Sequence, residues 1–83
     1  MVKKMQKVTV YTKNNCVQCM MTKKTLAQYG VNFEEHNVQE EPAAMSAVKA
    51  LGFQAVPVIV AEGFEPVQGF RPDFLKNLAK EAM

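Results

Sequence analysis

The two cysteines of this 83-residue chain, Cys16 and Cys19, are separated by two residues. Such a pair could form a short structural cross-link, supply half of a metal site, or exchange electrons with a disulfide. A bond between them would close a very short loop, and short loops constrain the unfolded chain least, so a structural role is disfavoured. A closed zinc site needs four ligands, and His36 is the only imidazole that the chain offers beside the two thiols. Carboxylates or a second subunit would have to complete such a site. The pair therefore favours redox chemistry without a bound metal.

A copper carrier remains an alternative, because such proteins also place a CxxC between a strand and a helix. They resemble Met-x-Cys-x-x-Cys, whereas position 14 of this chain is Asn14. The remaining candidate groups have ordinary structural interpretations. His36 is expected to be a solvated strand residue, and the adjacent Glu34 and Glu35 should point to opposite faces of a strand rather than form an acid–base pair.

The composition limits the class of protein. With 48% apolar and 22% charged residues, a single domain over residues 1–83 can bury a modest core. A net charge of +2, with both signs interspersed, offers no basic stripe for nucleic acid. The first residues, MVKKMQK, lack the apolar region of a signal peptide, and no apolar run approaches the length of a membrane span. We therefore expect a protein of the reducing cytoplasm, where standing disulfides are rare. We also expect the chain to be a monomer.

Changes in hydrophobic period predict the order β-α-β-α-β-β-α. The predicted strands cover residues 7–12, 31–38, 56–61 and 64–68, and the predicted helices cover 16–29, 40–51 and the segment from 72 onward. Strands that alternate with helices indicate a sheet with parallel pairs covered by helices. The CxxC then begins a helix directly after a strand, with an asparagine of the polar turn 13–15 as the expected N-cap.

That position suits thiol chemistry, because the unpaired N–H groups and positive dipole end of a helix favour a thiolate. Cys16 should lie exposed at this end, with Lys13 as a further cation, and act as the nucleophile. Cys19, one turn further along and facing the core, should attack the mixed disulfide and release the reduced product.

Three motifs make the chain resemble a known family. They are the CxxC Cys16-Val17-Gln18-Cys19, the pair Val56-Pro57 before a buried strand, and Gly69-Phe70-Arg71-Pro72-Asp73 before the last helix. Together they resemble the NrdH-redoxins of the glutaredoxin-like branch of the thioredoxin fold, over essentially the whole chain. The resemblance implies an α/β fold with a four-stranded mixed sheet flanked by three helices.

The resemblance also implies an activity and its partners. NrdH-redoxins are small bacterial dithiol proteins that deliver electrons to the large subunit of class Ib ribonucleotide reductase. They bind no cofactor and are recharged from NADPH through thioredoxin reductase. The Val56–Pro57 bond would be cis, which presents the Val56 backbone to an extended partner segment. The residues expected to contact substrate or partner are Thr12, Lys13, Val17, Gln18, Val56, Pro57, Gly69, Phe70 and Arg71.

A glutathione-dependent glutaredoxin is the nearest alternative, since such proteins resemble this chain at Lys13 and at Val56-Pro57. They usually carry proline and an aromatic residue between the cysteines, and a Gly-Gly turn with an acidic pair before the last helix. This chain has Gln68-Gly69-Phe70-Arg71-Pro72 in that region instead. It also departs from the redoxins, which commonly have Trp-Ser where this chain has Val67-Gln68.

Overall fold

A computed structural model describes residues 7–82 of the chain. The elements are, in chain order, β1 (Val8–Thr12), α1 (Val17–Gln28), β2 (Glu34–Asn37), α2 (Pro42–Ala50), β3 (Val58–Ala61), β4 (Val67–Gln68) and α3 (Pro72–Ala82). Their number and order are those predicted from the sequence. The boundaries differ mainly in the strands, which are shorter than their hydrophobic patterns suggest.

The four strands form one mixed sheet in the order β2-β1-β3-β4. The pair β1–β2 is parallel, and the pairs β1–β3 and β3–β4 are antiparallel. Because β1 lies at the centre of the sheet, the turn that follows Thr12 emerges between two neighbouring strands. This turn leads directly to the two cysteines.

Helices cover both faces of the sheet. On one face, α1 and α3 contribute Leu26, Leu75 and Leu78 to a core with Val10 of β1 and Ile59 of β3. On the other face, α2 packs against the sheet and forms a smaller apolar cluster. This cluster contains Val38, Ala44, Val48 and Val58. The three-helix, four-strand arrangement is therefore the one that the family resemblance implies.

Local chemistry explains two of the element ends. At the end of α1, Gly30 has a φ of +75°, and the N–H of Val31 donates to the carbonyl of Leu26 at 3.0 Å. This is the left-handed glycine stop that the sequence predicts. The third strand begins at Val58 rather than at Val56, because Pro57 lacks the N–H that a strand would need.

Within residues 7–82, no helix is both long enough and apolar enough to cross a membrane.

Candidate active site

The CxxC lies at the start of α1, and Cys16 itself is the N-cap residue. Its backbone is extended (φ −115°, ψ 107°), and its sulfur accepts a hydrogen bond from the backbone N–H of Cys19 at 3.1 Å. The expectation of an asparagine cap is therefore wrong. Asn15 instead adopts a left-handed conformation with φ 57°, which turns the chain so that the cysteine reaches the cap position. Asparagine tolerates this conformation better than most residues.

Cys16 and Cys19 are joined as a disulfide, with 5.2 Å between their Cα atoms. Cys16 is 9% exposed and Cys19 is 1% exposed. The order of exposure matches the prediction, but the expectation of a freely exposed Cys16 is wrong. Its sulfur is turned toward the helix end, where it bonds Cys19 and accepts the N–H. The accessible surface beside it belongs to Val17 and Met20, which are 69% and 62% exposed.

The turn before Cys16 is held by hydrogen bonds to the end of β2 and to the residues that follow it. The N–H of Asn14 donates to Oε1 of Gln39 at 3.0 Å, and Nδ2 of Asn37 donates to Oδ1 of Asn14 at 3.0 Å. The N–H of Val38 donates to the carbonyl of Thr12 at 2.8 Å. Sequence reasoning missed Asn37 and Gln39. Their polar side chains would have indicated these hydrogen bonds only if the two turns had been known to lie close together.

The predicted Pro57 and Gly69 lie next to each other at the same end of the sheet as the CxxC. The Val56–Pro57 bond is cis, as the resemblance implies, and the Pro57 carbonyl accepts the N–H of Gly69 at 2.8 Å. Gly69 has a φ of +93°, and a Cβ built on it would lie 3.8 Å from Oε1 of Gln18. Gln18, in the dipeptide between the cysteines, therefore lies close to the turn before α3.

Phe70 and Arg71, both predicted to contact a partner, lie in different surroundings. Phe70 is half-buried and packs against the core between α1, α3 and the sheet. The Arg71 side chain is exposed, while its carbonyl accepts the N–H of Leu75 at 3.0 Å in the first turn of α3. Phe70 therefore fixes the segment in the core, and Arg71 presents its guanidinium to solvent.

Thr12 does not lie on the surface, although it was predicted among the partner-contacting residues. It is 1% exposed, and its hydroxyl donates to Oε2 of Glu35 at 2.8 Å. Lys23 of α1 donates to the same oxygen at 2.9 Å. This hydrogen bond from Lys23 is the main reason that the pKa of Glu35 lies below its usual range. Thr12 therefore helps to fasten α1 to the sheet below the CxxC.

As predicted, Glu34 and Glu35 point to opposite faces of β2. Glu35 bonds to Lys23 of α1, whereas Glu34 approaches His36. His36 was expected to be solvated. Its ring is half-exposed and lies 2.8 Å from Glu41 through Nδ1 and 3.4 Å from Glu34 through Nε2. The hydrogen bond to Glu41, followed by the one to Glu34, raises the pKa of His36.

Among residues 7–82, no three His, Cys, Asp or Glu side chains are grouped to hold a metal ion.

A cysteine pair capped onto a helix, a cis-proline beside it, and a four-stranded sheet with three helices define a thioredoxin-like fold with a dithiol–disulfide site. The family model Glutaredoxin matches residues 8–64. The glutaredoxin-like protein NrdH of Lactococcus lactis is 47% identical over 72 residues, which cover 87% of this chain and 99% of that protein. The NrdH of Escherichia coli is 43% identical over 72 residues, with 87% and 88% covered.

A solved structure agrees with these sequence matches. The NrdH-redoxin of Escherichia coli superimposes with a TM-score of 0.81 at 42% identity, covering 87% of this chain and 93% of that one. The chain belongs to the NrdH family of glutaredoxin-like redox proteins. Its Cys16–Cys19 pair is consistent with a thiol–disulfide oxidoreductase.

Proposed function

We propose that the chain is a dithiol electron donor in which Cys16 is the nucleophile and Cys19 the resolving cysteine. The position of the Cys16 sulfur at the N-cap of α1 carries this assignment, since the sulfur already accepts the N–H of Cys19 at 3.1 Å. In the reduced protein the same N–H and the positive end of the helix favour a thiolate on Cys16. Cys19 is 1% exposed and has no comparable access to a partner.

The reaction is a two-electron exchange of disulfides. The Cys16 thiolate attacks one sulfur of the client disulfide, which forms a mixed disulfide and expels the other client sulfur as a thiolate that takes up a proton. Cys19 then loses its proton and attacks Cys16. The client leaves as a dithiol, and the protein is left with the Cys16–Cys19 disulfide.

The client we propose is the large subunit of class Ib ribonucleotide reductase, and the electron source is NADPH through thioredoxin reductase. Membership of the NrdH family supports both proposals. The related NrdH-redoxin of Escherichia coli has a thioredoxin-like activity profile. The exchange would take place in the cytoplasm and would require no bound cofactor.

The turn before α3 argues against glutathione as the main reductant. A glutathione carboxylate needs N–H donors and cations, and Pro72 supplies no N–H at the start of α3. Arg71 is exposed and could attract a carboxylate, but it replaces only part of such a site. Losing one or two charge-assisted hydrogen bonds of about 1.5–3 kcal/mol each would weaken glutathione binding roughly ten-fold to several-hundred-fold or more.

Two cysteine variants test the roles of the sulfurs. Cys19→Ser should accumulate a mixed disulfide with a disulfide-containing client, detectable by mass spectrometry, because Cys16 can attack but nothing resolves the product. Cys16→Ser should form no adduct and reduce no client. Full disulfide reduction by Cys16→Ser would show that the roles have been assigned wrongly.

A comparison of reductants tests the electron source. NADPH with thioredoxin reductase should reduce the Cys16–Cys19 disulfide efficiently, while NADPH with millimolar glutathione and glutathione reductase should do so poorly. Both assays follow NADPH oxidation with the same client disulfide. The reverse ranking would assign this chain to the glutathione-dependent glutaredoxins instead.

A further inference from the structure

A groove of about 330 Å³ lies between α2 and the segment that leads to Pro57. Lys13, three residues before Cys16, lines one part of it, and Val56, directly before Pro57, lines another. The N–H of Phe53 donates to the carbonyl of Val48 at 3.2 Å, which turns the chain sharply after α2 and brings Phe53 to the groove. The groove therefore begins beside the redox site and extends along α2.

Apolar side chains and positive charges line the groove. Met45, Val48 and Phe53 are among the apolar residues that line it, and Met45 keeps 38% of its surface exposed. Two lysines, Lys13 and Lys49, also line it, whereas no Asp or Glu of residues 7–82 does. Neither lysine forms an ion pair with any residue in the described part of the chain. An apolar lining with unpaired cations is complementary to an apolar group that carries a nearby carboxylate.

The backbone next to the groove is also free to pair with a partner. Within residues 7–82, the N–H and C=O of Val56 have no backbone partner, although the neighbouring Pro57 carbonyl accepts the N–H of Gly69. A partner segment in an extended conformation can use such unpaired backbone groups, with alternate side chains entering adjacent pockets. Val56 therefore connects the redox site with the groove.

We propose that this groove binds an acidic, apolar segment of the client protein that flanks its reactive cysteine. An apolar client side chain packs on Met45 and Phe53, and a client carboxylate lies near Lys13 and Lys49. The proposal rests on the proposed dithiol activity and adds to it a preference for the sequence around the client disulfide. Both lysines are exposed, so each contributes a modest factor, about two- to five-fold in rate.

Single-turnover reduction of peptides provides the test. The pre-reduced protein is mixed with symmetrical peptides in which the cysteine is linked to thionitrobenzoate, whose release is followed by absorbance. The acidic peptide is Glu-Leu-Cys-Leu-Glu, the basic one is Lys-Leu-Cys-Leu-Lys, and the polar one is Glu-Ser-Cys-Ser-Glu. Their symmetry makes the direction of the bound chain unimportant. The acidic peptide should react about ten-fold faster than the basic one at low salt.

Variants of the groove should change this preference. Lys49→Glu should abolish or reverse the preference for the acidic peptide, whereas Lys76→Glu on α3, with the same change in net charge, should leave it intact. Lys49→Gln should give an intermediate preference and guards against an effect of the new charge on the end of α2. Met45→Ser should slow the leucine peptides but not the serine peptide, which a double-mutant cycle measures directly.

Two outcomes would overturn the proposal, and they are distinguishable. Equal rates for the acidic and basic peptides, or the same change in Lys49→Glu and Lys76→Glu, would exclude the groove while leaving the dithiol activity in place. Failure of the reduced protein to release thionitrobenzoate from any peptide would instead refute the dithiol function, and the groove proposal with it.

Discussion

Gly69 offers a direct test of how the turn before α3 supports the redox site. Its φ is +93°, and its N–H donates to the Pro57 carbonyl at 2.8 Å. An alanine Cβ would meet Oε1 of Gln18 at 3.8 Å, an ordinary contact, so space does not forbid the substitution. The backbone conformation opposes it, because residues with a side chain that enter the left-handed region prefer φ near about 50–70°. Gly69→Ala should therefore destabilise the fold by about 1–2 kcal/mol.

Gly30 supplies the matched control. It has a φ of +75°, it follows the far end of α1, and no other described residue comes within 4 Å of a Cβ built on it. The 12 residues of α1 place it roughly 18 Å along the helix from the CxxC. Because +75° is closer to the favoured region, Gly30→Ala should destabilise the fold by about 1 kcal/mol, less than Gly69→Ala. For a chain of this size, 1 kcal/mol corresponds to about 4–8 °C in Tm.

The kinetic result should separate the two variants. Relief of the strained φ in Gly69→Ala rotates the amide away from Pro57, and the new methyl group lies beside Gln18. We therefore expect kcat/KM with thioredoxin reductase to fall about three- to ten-fold, since small displacements at a reacting site have large effects on rate. Gly30→Ala should retain the wild-type value. An unchanged kcat/KM in Gly69→Ala, or an equal loss in both variants, would refute the supporting role of this turn.

Three further variants probe other parts of the molecule. The hydroxyl of Thr22 is buried with no hydrogen-bond partner among residues 7–82, so Thr22→Val should raise the free energy of unfolding by about 1 kcal/mol, and a lower Tm would show that the hydroxyl is bonded in solution. Glu41 and Glu34 raise the pKa of His36. The stability that protonated His36 adds to the fold is therefore present at low pH and is lost as the pH rises through its folded-state pKa. In urea denaturation at about pH 6 and 8, the wild type should lose stability at the higher pH, and His36→Gln should lose less. Arg71→Ala should raise the KM for thioredoxin reductase but leave reduction by dithiothreitol unchanged, and an unaltered KM would exclude a contact through this side chain.

The order of the elements could be predicted because each one carries its own local signal. Val8 and Val10 alternate with polar residues in β1, and Gly30 and Gly52 end the two helices with φ values of +75° and +91°. These signals depend on neighbours in the sequence alone. The strand ends could not be predicted in the same way, because the length of a strand depends on where its partner runs out. β4 pairs with β3 only at two residues, so it is shorter than its apolar pattern suggests.

The active site, too, could be predicted from the sequence only in part. The CxxC and the cis-proline could be identified from the motifs, but the N-cap could not. Asn14 and Asn15 are both good cap residues by type, yet Asn14 bonds to the segment after β2 and Asn15 forms the left-handed turn. These tertiary contacts with Asn37 and Gln39, together with the left-handed Asn15, leave Cys16 at the cap position. The same contacts bring Lys13 to the groove beside α2, which no local pattern indicates.

The departure of this chain from the redoxin pattern at Val67-Gln68 has a structural explanation. Both residues lie in β4, where Val67 pairs with Ile59 and Gln68 pairs with Val58. Strand pairing uses backbone groups, so replacing the usual Trp-Ser leaves the ladder in place. The next residue, Gly69, is then held by its own N–H, which donates to Pro57 at 2.8 Å. The backbone bonds of β4 and of Gly69 therefore hold the turn before α3, and these bonds do not use the side chains of Val67 and Gln68.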